Sequence, residues 1–226
     1  MDALTTFLAR WQSFLIENGP DFGAALWVTI RISLVAIACG LALGFAAELG
    51  RRICPWLRKP VACYVEFFRG TPLLIQLYLL YYGGPRIGIV LDAEPAGMLG
   101  MSLYAAAYFC EIFRAGFESI PEGQREAAHC LGIRPWRRLW RIELPQMAQI
   151  VLPPAVNQII TLIKDSAVLS IITVAELTKT ATRIMNISFE IVMPLCLLAL
   201  LYWAISEAVA VVCGKAEARL TRHLTR

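Results

Sequence analysis

Apolar residues run almost unbroken through five stretches of the chain, residues 24–49, 61–82, 96–117, 148–173 and 191–213. At about 1.5 Å per residue, a helix over any of them is long enough to cross a hydrocarbon core of about 30 Å. The second and third stretches carry Glu66, Arg69, Glu111 and Arg114. Insertion of such a residue costs about 2.5–3.5 kcal/mol at mid-membrane, which some twenty apolar neighbours outweigh. Residues 1–20 follow another pattern, with Leu4, Phe7, Leu8, Trp11, Phe14 and Leu15 at helical spacing and Asp2 and Glu17 in place of a cationic start. That pattern predicts an amphipathic helix lying on the outer membrane face, not a signal peptide. Asn18-Gly19-Pro20 is expected to break it before the first span. The pattern as a whole predicts an all-α polytopic membrane protein, a single domain over 1–226 with five transmembrane helices.

Composition agrees: 58% of the residues are hydrophobic and 17% charged, with a mean hydropathy of +0.61. Soluble domains carry about 25% charged residues, so this surplus of apolar surface must face lipid. The 21 Lys and Arg residues then set the orientation. Arg51, Arg52, Arg58 and Lys59 follow span one; Arg125, Arg134, Arg137, Arg138 and Arg141 follow span three; Lys215, Arg219, Arg222 and Arg226 follow span five. Only Arg10, Arg86, Lys179 and Arg183 fall on the other side. By the positive-inside rule the N-terminus is outside and the C-terminus cytoplasmic, as an odd number of spans requires. The seven cysteines include no Cys-x-x-Cys pair and read as small apolar residues. His129 and His223 have no ligand-spaced partner, so no metal site is expected.

The segment 118–147 carries the strongest local signal. Ser119-Ile120-Pro121-Glu122 has capping-box spacing and predicts a helix running to about residue 131, where Gly132 ends it in a left-handed turn. Arg134-Pro135 predicts a second short helix with Trp136, Leu139, Trp140 and Leu144 on one face, stopped by Pro145. Such a helix pair cannot bury itself and needs a surface to dock on. An anionic leaflet is one candidate, since tryptophans and arginines suit headgroups. The small, acidic surface of Glu122, Glu126, Ala127 and Ala128 suits a protein groove better.

Glu126-Ala127-Ala128, three residues, Gly132, nine residues and Ile142-Glu143-Leu144-Pro145 together resemble the EAA loop of the membrane-spanning subunits of ABC importers. Two further runs resemble the polar amino acid permeases within that family: Glu66-Phe67-Phe68-Arg69-Gly70-Thr71-Pro72, and Glu111-Ile112-Phe113-Arg114-Ala115-Gly116 continuing through Ile120-Pro121-Glu122-Gly123-Gln124. Leu162-Ile163-Lys164-Asp165 resembles a fourth run of that branch, departing from it after Asp165. The resemblance covers residues 60–180 and implies a type I importer permease in the bacterial cytoplasmic membrane. It implies that the loop is a coupling helix seated in a cytosolic ATPase, with Glu126, Ala127, Ala128 and Leu131 as the docking face and Gly132 as the bend. It also implies two copies of the ATPase, a second permease chain, identical or paralogous, and an extracytoplasmic amino-acid-binding protein. The chain has no Gly-x4-Gly-Lys-Ser/Thr loop, so ATP belongs to the partner and no cofactor is expected on this chain.

Ionisable residues inside spans are candidates for a substrate path. Here these are Glu66, Arg69, Glu111, Arg114, Lys164 and Asp165, with Asn157 and Gln158 as neighbouring hydrogen-bonding groups. Glu66 with Arg69, and Glu111 with Arg114, have i,i+3 spacing, so each pair is equally able to be a structural ion pair. Two rival readings use the same residues differently: a secondary transporter or channel with an ion relay, which leaves the EAA spacing unexplained, and a scaffold without transport, which leaves the buried charges unused. No nucleophile, base and orienting group are placed for catalysis, and the basic residues track one membrane face, not a nucleic-acid patch.

Overall fold

In a computed structural model the described residues are 2–222, with side chains placed for 5–215, and all regular structure among them is helical. The helices are α1 (Asp2–Ile53), α2 (Arg58–Gly70), α3 (Leu73–Tyr78), α4 (Ala93–Glu118), α5 (Glu122–Cys130), α6 (Pro135–Arg138), α7 (Leu144–Asp165), α8 (Leu177–Ser188) and α9 (Val192–Arg222). His223 and Arg226 lie outside the described residues, as do the side chains of Leu4, Arg219 and Arg222.

Among the described residues four helical segments are long and apolar enough to cross a membrane: Thr5–Ile53, Ala93–Glu118, Pro135–Ile172 and Val192–Lys215. The expected second span is helical but divided. Thr71 is extended (φ −118°, ψ 144°), separating α2 from α3. The cause is local: Pro72 crowds an α-helical conformation at the residue before it. The expected break at Asn18-Gly19-Pro20 is absent, because α1 continues through Pro20. Asn18 Nδ2 donates to the Phe14 carbonyl at 3.2 Å, and Phe14 and Phe22, on either side of Pro20, are buried in one cluster. Packing on both sides of the proline outweighs its lost hydrogen bond.

The chain forms two compact units. The first comprises, of the described residues, 2–36, 73–101 and 162–208. Its core joins Phe14, Phe22 and Ala25 of α1 to Leu177, Ala181 and Ile184 of α8 and to Met193 of α9. Predicted amphipathic positions Phe7 and Leu8 remain more than half exposed, whereas Phe14 is buried in this core. Glu176 starts α8: its carboxylate accepts the backbone N–H groups of Thr178 (2.8 Å) and Lys179 (2.7 Å) and the Tyr202 hydroxyl (3.0 Å). Burial pushes the Glu176 carboxyl above the usual carboxylate range, opposed by these three donors.

The second unit comprises, of the described residues, 37–72, 102–161 and 209–222. Its α1 segment lies against α4 at Gly40 and Gly44. A Cβ on Gly44 would stand 2.8 Å from the Ala106 carbonyl oxygen, 2.8 Å from Phe109 Cβ and 2.9 Å from the Cys110 nitrogen. Two of these atoms are backbone, so neither rotates away. Gly44→Leu is therefore expected to force the helices apart at a cost of about 1–3 kcal/mol or more, read as a lower melting midpoint of the detergent-solubilised chain. A midpoint equal to wild type would contradict this contact. Nearby, Glu48 is fully buried and neutralised by Arg51 and Arg52, one turn on along α1.

Candidate functional site

Two features of the second unit gather the residues expected to function. The first is the loop from α5 to α7. Its helix α5 ends in a Schellman motif: Gly132 has φ +65°, its N–H donates to the His129 carbonyl at 2.9 Å, and the Ile133 N–H donates to the Ala128 carbonyl at 3.0 Å. The expected turn at Gly132 is thus present. The expected capping box is not: α5 starts at Glu122 without a side-chain cap, and the Ser119 hydroxyl donates back to the Gly116 carbonyl at 2.6 Å, closing α4. Nor does Pro145 stop the second helix. A π-helical turn over Leu139–Glu143 leads from α6 into α7, so Pro145 sits in the first turn of α7, where a missing N–H is tolerated.

Glu126, Ala127, Leu131 and Gly132 are exposed on this loop, Leu131 at 77%. Ala128 is not, at 2% exposed. Its small side chain seats α5 on the chain itself, which corrects its expected place on the docking face. Trp136 and Trp140 are more than half exposed and pack edge to face at 5.5 Å, while Leu139 is buried.

Glu143, which the sequence pattern did not single out, holds the loop together. It is buried at 6% exposure, and its Oε1 lies 3.0 Å from Arg138 Nε and 3.4 Å from Arg125 Nε. Arg125 also donates through Nη2 to the Phe117 carbonyl at 2.6 Å. One carboxylate thus ties α5, α6 and the start of α7 to the end of α4. Buried carboxylates need such partners, because an unpaired buried charge is strongly destabilising.

The second feature is a cavity of about 430 Å³ lined by Arg69, Tyr108, Glu111, Asn157, Gln158 and Thr161, among others. Arg69 Nη1 stands 3.6 Å from Glu111 Oε1, and its guanidinium lies 5.6 Å from the centroid of the Tyr108 ring. Glu111 also pairs with Arg114, as its spacing predicted. Gln158 Nε2 is buried with no hydrogen-bond partner among the described residues. The volume falls in the range of small-molecule sites, about 300–1,000 Å³.

Four of the eight expected path residues meet here: Arg69, Glu111, Asn157 and Gln158. The other four do not line this cavity. Glu66 is exposed and forms no ion pair with Arg69 among the described residues, because Arg69 turns to Glu111 on α4. Arg114 lines a separate cavity with Glu118. Lys164 is exposed, Asp165 is half-buried, and both belong to the first unit.

Several apolar membrane-length helices define a multi-pass membrane protein, with the helical loop from α5 to α7 exposed. Residues 20–221 match the binding-protein-dependent transport system inner membrane components, and the chain belongs to that family. It is 40% identical over 197 residues, 87% of each chain, to a probable amino-acid ABC transporter permease protein, YckA, of Bacillus subtilis (strain 168). It is 33% identical over 219 residues, 96% of this chain and 93% of the relative, to the L-cystine transport system permease protein TcyB of the same organism. Among solved structures, an amino acid ABC transporter crystallised with histidines superposes with a TM-score of 0.84 at 29% identity, over 91% of this chain and 96% of that one. The inward-facing MetNI methionine ABC transporter shares the fold, with a TM-score of 0.69 at 20% identity, over 87% and 95% of the two chains. The chain is accordingly the permease component of an importer, located in the inner membrane. Permeases of this family are not catalytic themselves and work with ATPase and binding-protein partners.

Proposed function

We propose that this chain moves polar amino acids, that its 430 Å³ cavity is part of their path, and that its α5 loop couples the path to the ATPase. The observation that carries the substrate reading is the unpaired, buried Gln158 Nε2 in a cavity that also holds a cation, Arg69, and an anion, Glu111. An α-amino acid brings a carboxylate for Arg69 and the Gln158 amide, and an ammonium for Glu111. Desolvated polar groups with partners waiting are how such sites discriminate. The names of the relatives YckA and TcyB point to the same substrate class.

Coupling follows from the loop. The exposed Glu126, Ala127, Leu131 and Gly132 form the face for the ATPase, and the Glu143 tie transmits its movement to the helices. ATP is bound and hydrolysed by two copies of that partner, and this chain needs no cofactor. Two permease chains, identical or paralogous, enclose the path. The thirteen Lys and Arg residues that follow spans one, three and five favour, by the positive-inside rule, an N-terminus outside and a C-terminus in the cytoplasm.

The test is uptake by proteoliposomes holding the permease with its ATPase and binding protein, measured over a panel of polar amino acids. ATP-dependent accumulation of at least one supports the reading. Accumulation driven by an imposed ion gradient, with no ATP requirement, would replace it with the secondary-transporter reading.

A further inference from the structure

The separate cavity that holds Arg114 and Glu118, of about 320 Å³, is also lined by Arg51, Arg52, Arg58 and Glu48. We infer that it is a binding site for the phosphate of an anionic phospholipid head group.

Charge is the first argument. Four guanidiniums face two carboxylates, and both carboxylates are already engaged: Glu48 by the Nε groups of Arg51 and Arg52, Glu118 by Nη1 of Arg114. Adding Glu111, which also pairs with Arg114, still leaves one positive charge in excess. Arg58 has no carboxylate partner among the described residues; its Nε reaches only the Arg51 carbonyl, at 3.4 Å. Arg51, Arg52 and Arg58 use Nε in these hydrogen bonds, and the Arg52 guanidinium also lies over the Phe117 ring, 4.3 Å from its centroid, so the terminal N–H groups are the donors left for a ligand. Paired guanidinium N–H donors match phosphate oxygens in geometry and charge.

Position is the second argument. One candidate span ends at Ile53 and another at Glu118, and residues from both ends line this cavity. It therefore opens at the depth of the head groups. Basic pockets between membrane helices on the cytoplasmic side are where anionic lipids collect.

The third argument separates a lipid from a free anion. Along the chain the cavity's arginines are bordered by Ile53, which follows Arg52, is 66% exposed and lines a neighbouring cavity with Trp136 and Leu139, and by Trp56, two residues before Arg58 and 74% exposed. A phosphate carrying acyl chains covers such a border, with the indole at the interface, whereas inorganic phosphate leaves it bare.

The experiment uses the full-length chain, solubilised in neutral detergent with the subunits that remain bound. Its melting midpoint is followed during titration with dioleoylphosphatidylglycerol, dioleoylphosphatidylcholine or inorganic phosphate. Arg58→Glu serves as the site variant, since Arg58 is exposed and holds no buried partner. Lys59→Glu is the control, an adjacent cation outside the cavity lining. Phosphatidylglycerol is expected to raise the midpoint and phosphatidylcholine to leave it unchanged. Arg58→Glu is expected to need about tenfold more phosphatidylglycerol, with Lys59→Glu close to wild type. A shift with inorganic phosphate alone that Arg58→Glu removes would support the phosphate site and assign it to a free anion. No shift with either phosphate source, or equal loss in Arg58→Glu and Lys59→Glu, would overturn the inference.

Discussion

Gly132→Val is expected to lower transport about 10- to 100-fold while the chain still inserts and accumulates in the membrane. Gly132 holds φ +65° between α5 and the second part of the loop. A β-branched residue in that conformation costs about 1–3 kcal/mol, and relief of the strain breaks the bonds to His129 and Ala128 that close α5. Leu131, 77% exposed on the proposed docking face, is then misaimed. A factor of about ten in uptake follows for each 1.4 kcal/mol lost from the coupled state. The readout is ATP-driven uptake normalised to permease in the membrane. Gly132→Asn is expected to keep most of the activity, because asparagine tolerates left-handed backbone. Equal uptake by Gly132→Val and wild type would show that the turn does not serve coupling.

Arg69→Met should have a comparable effect on transport with the ATPase still bound. It removes the cation of the cavity and leaves Glu111 to Arg114 alone. A charge-assisted hydrogen bond is worth about 1.5–3 kcal/mol, so uptake is expected to fall about 10- to 100-fold. If Arg69 is only a structural partner of Glu111, Arg69→Met combined with Glu111→Gln recovers what the single change lost. If both groups contact substrate, the double variant is at least as impaired as either single one. Uptake in Arg69→Met at the wild-type level would remove the cavity from the path.

Sequence periodicity was informative where one segment settles its own conformation. The all-α membrane class follows from apolar run lengths, and the turn at Gly132 from the sterics of one residue, so both were legible. What depended on packing between distant segments was not. Pro20 looks like a helix stop until Phe14 and Phe22 are seen buried together on α1. The run at 61–82 looks continuous, though Pro72 itself announced the interruption at Thr71. Arg69 has an i,i+3 glutamate on its own helix, yet pairs with Glu111 on another, a choice that side-chain spacing cannot reveal. Glu143 sat within the recognised Ile142-Glu143-Leu144-Pro145 run, and its signal was a lone carboxylate following Arg125 and Arg138 in a basic loop. Gly40 and Gly44, with small-xxx-small spacing, carried the signal for close helix approach.

The measurement that bears most directly on the central claim is capture of the tagged chain from mild-detergent extracts of its own host, with identification of the proteins retained. A cytosolic ATPase is predicted to co-purify with the wild-type chain and to be lost from Glu126→Lys, a change on the exposed face of α5 that leaves the Glu143 tie and the membrane helices untouched. Retention of the same ATPase by Glu126→Lys at the wild-type level, or its absence from the wild-type chain, would contradict the account of the loop as the coupling element.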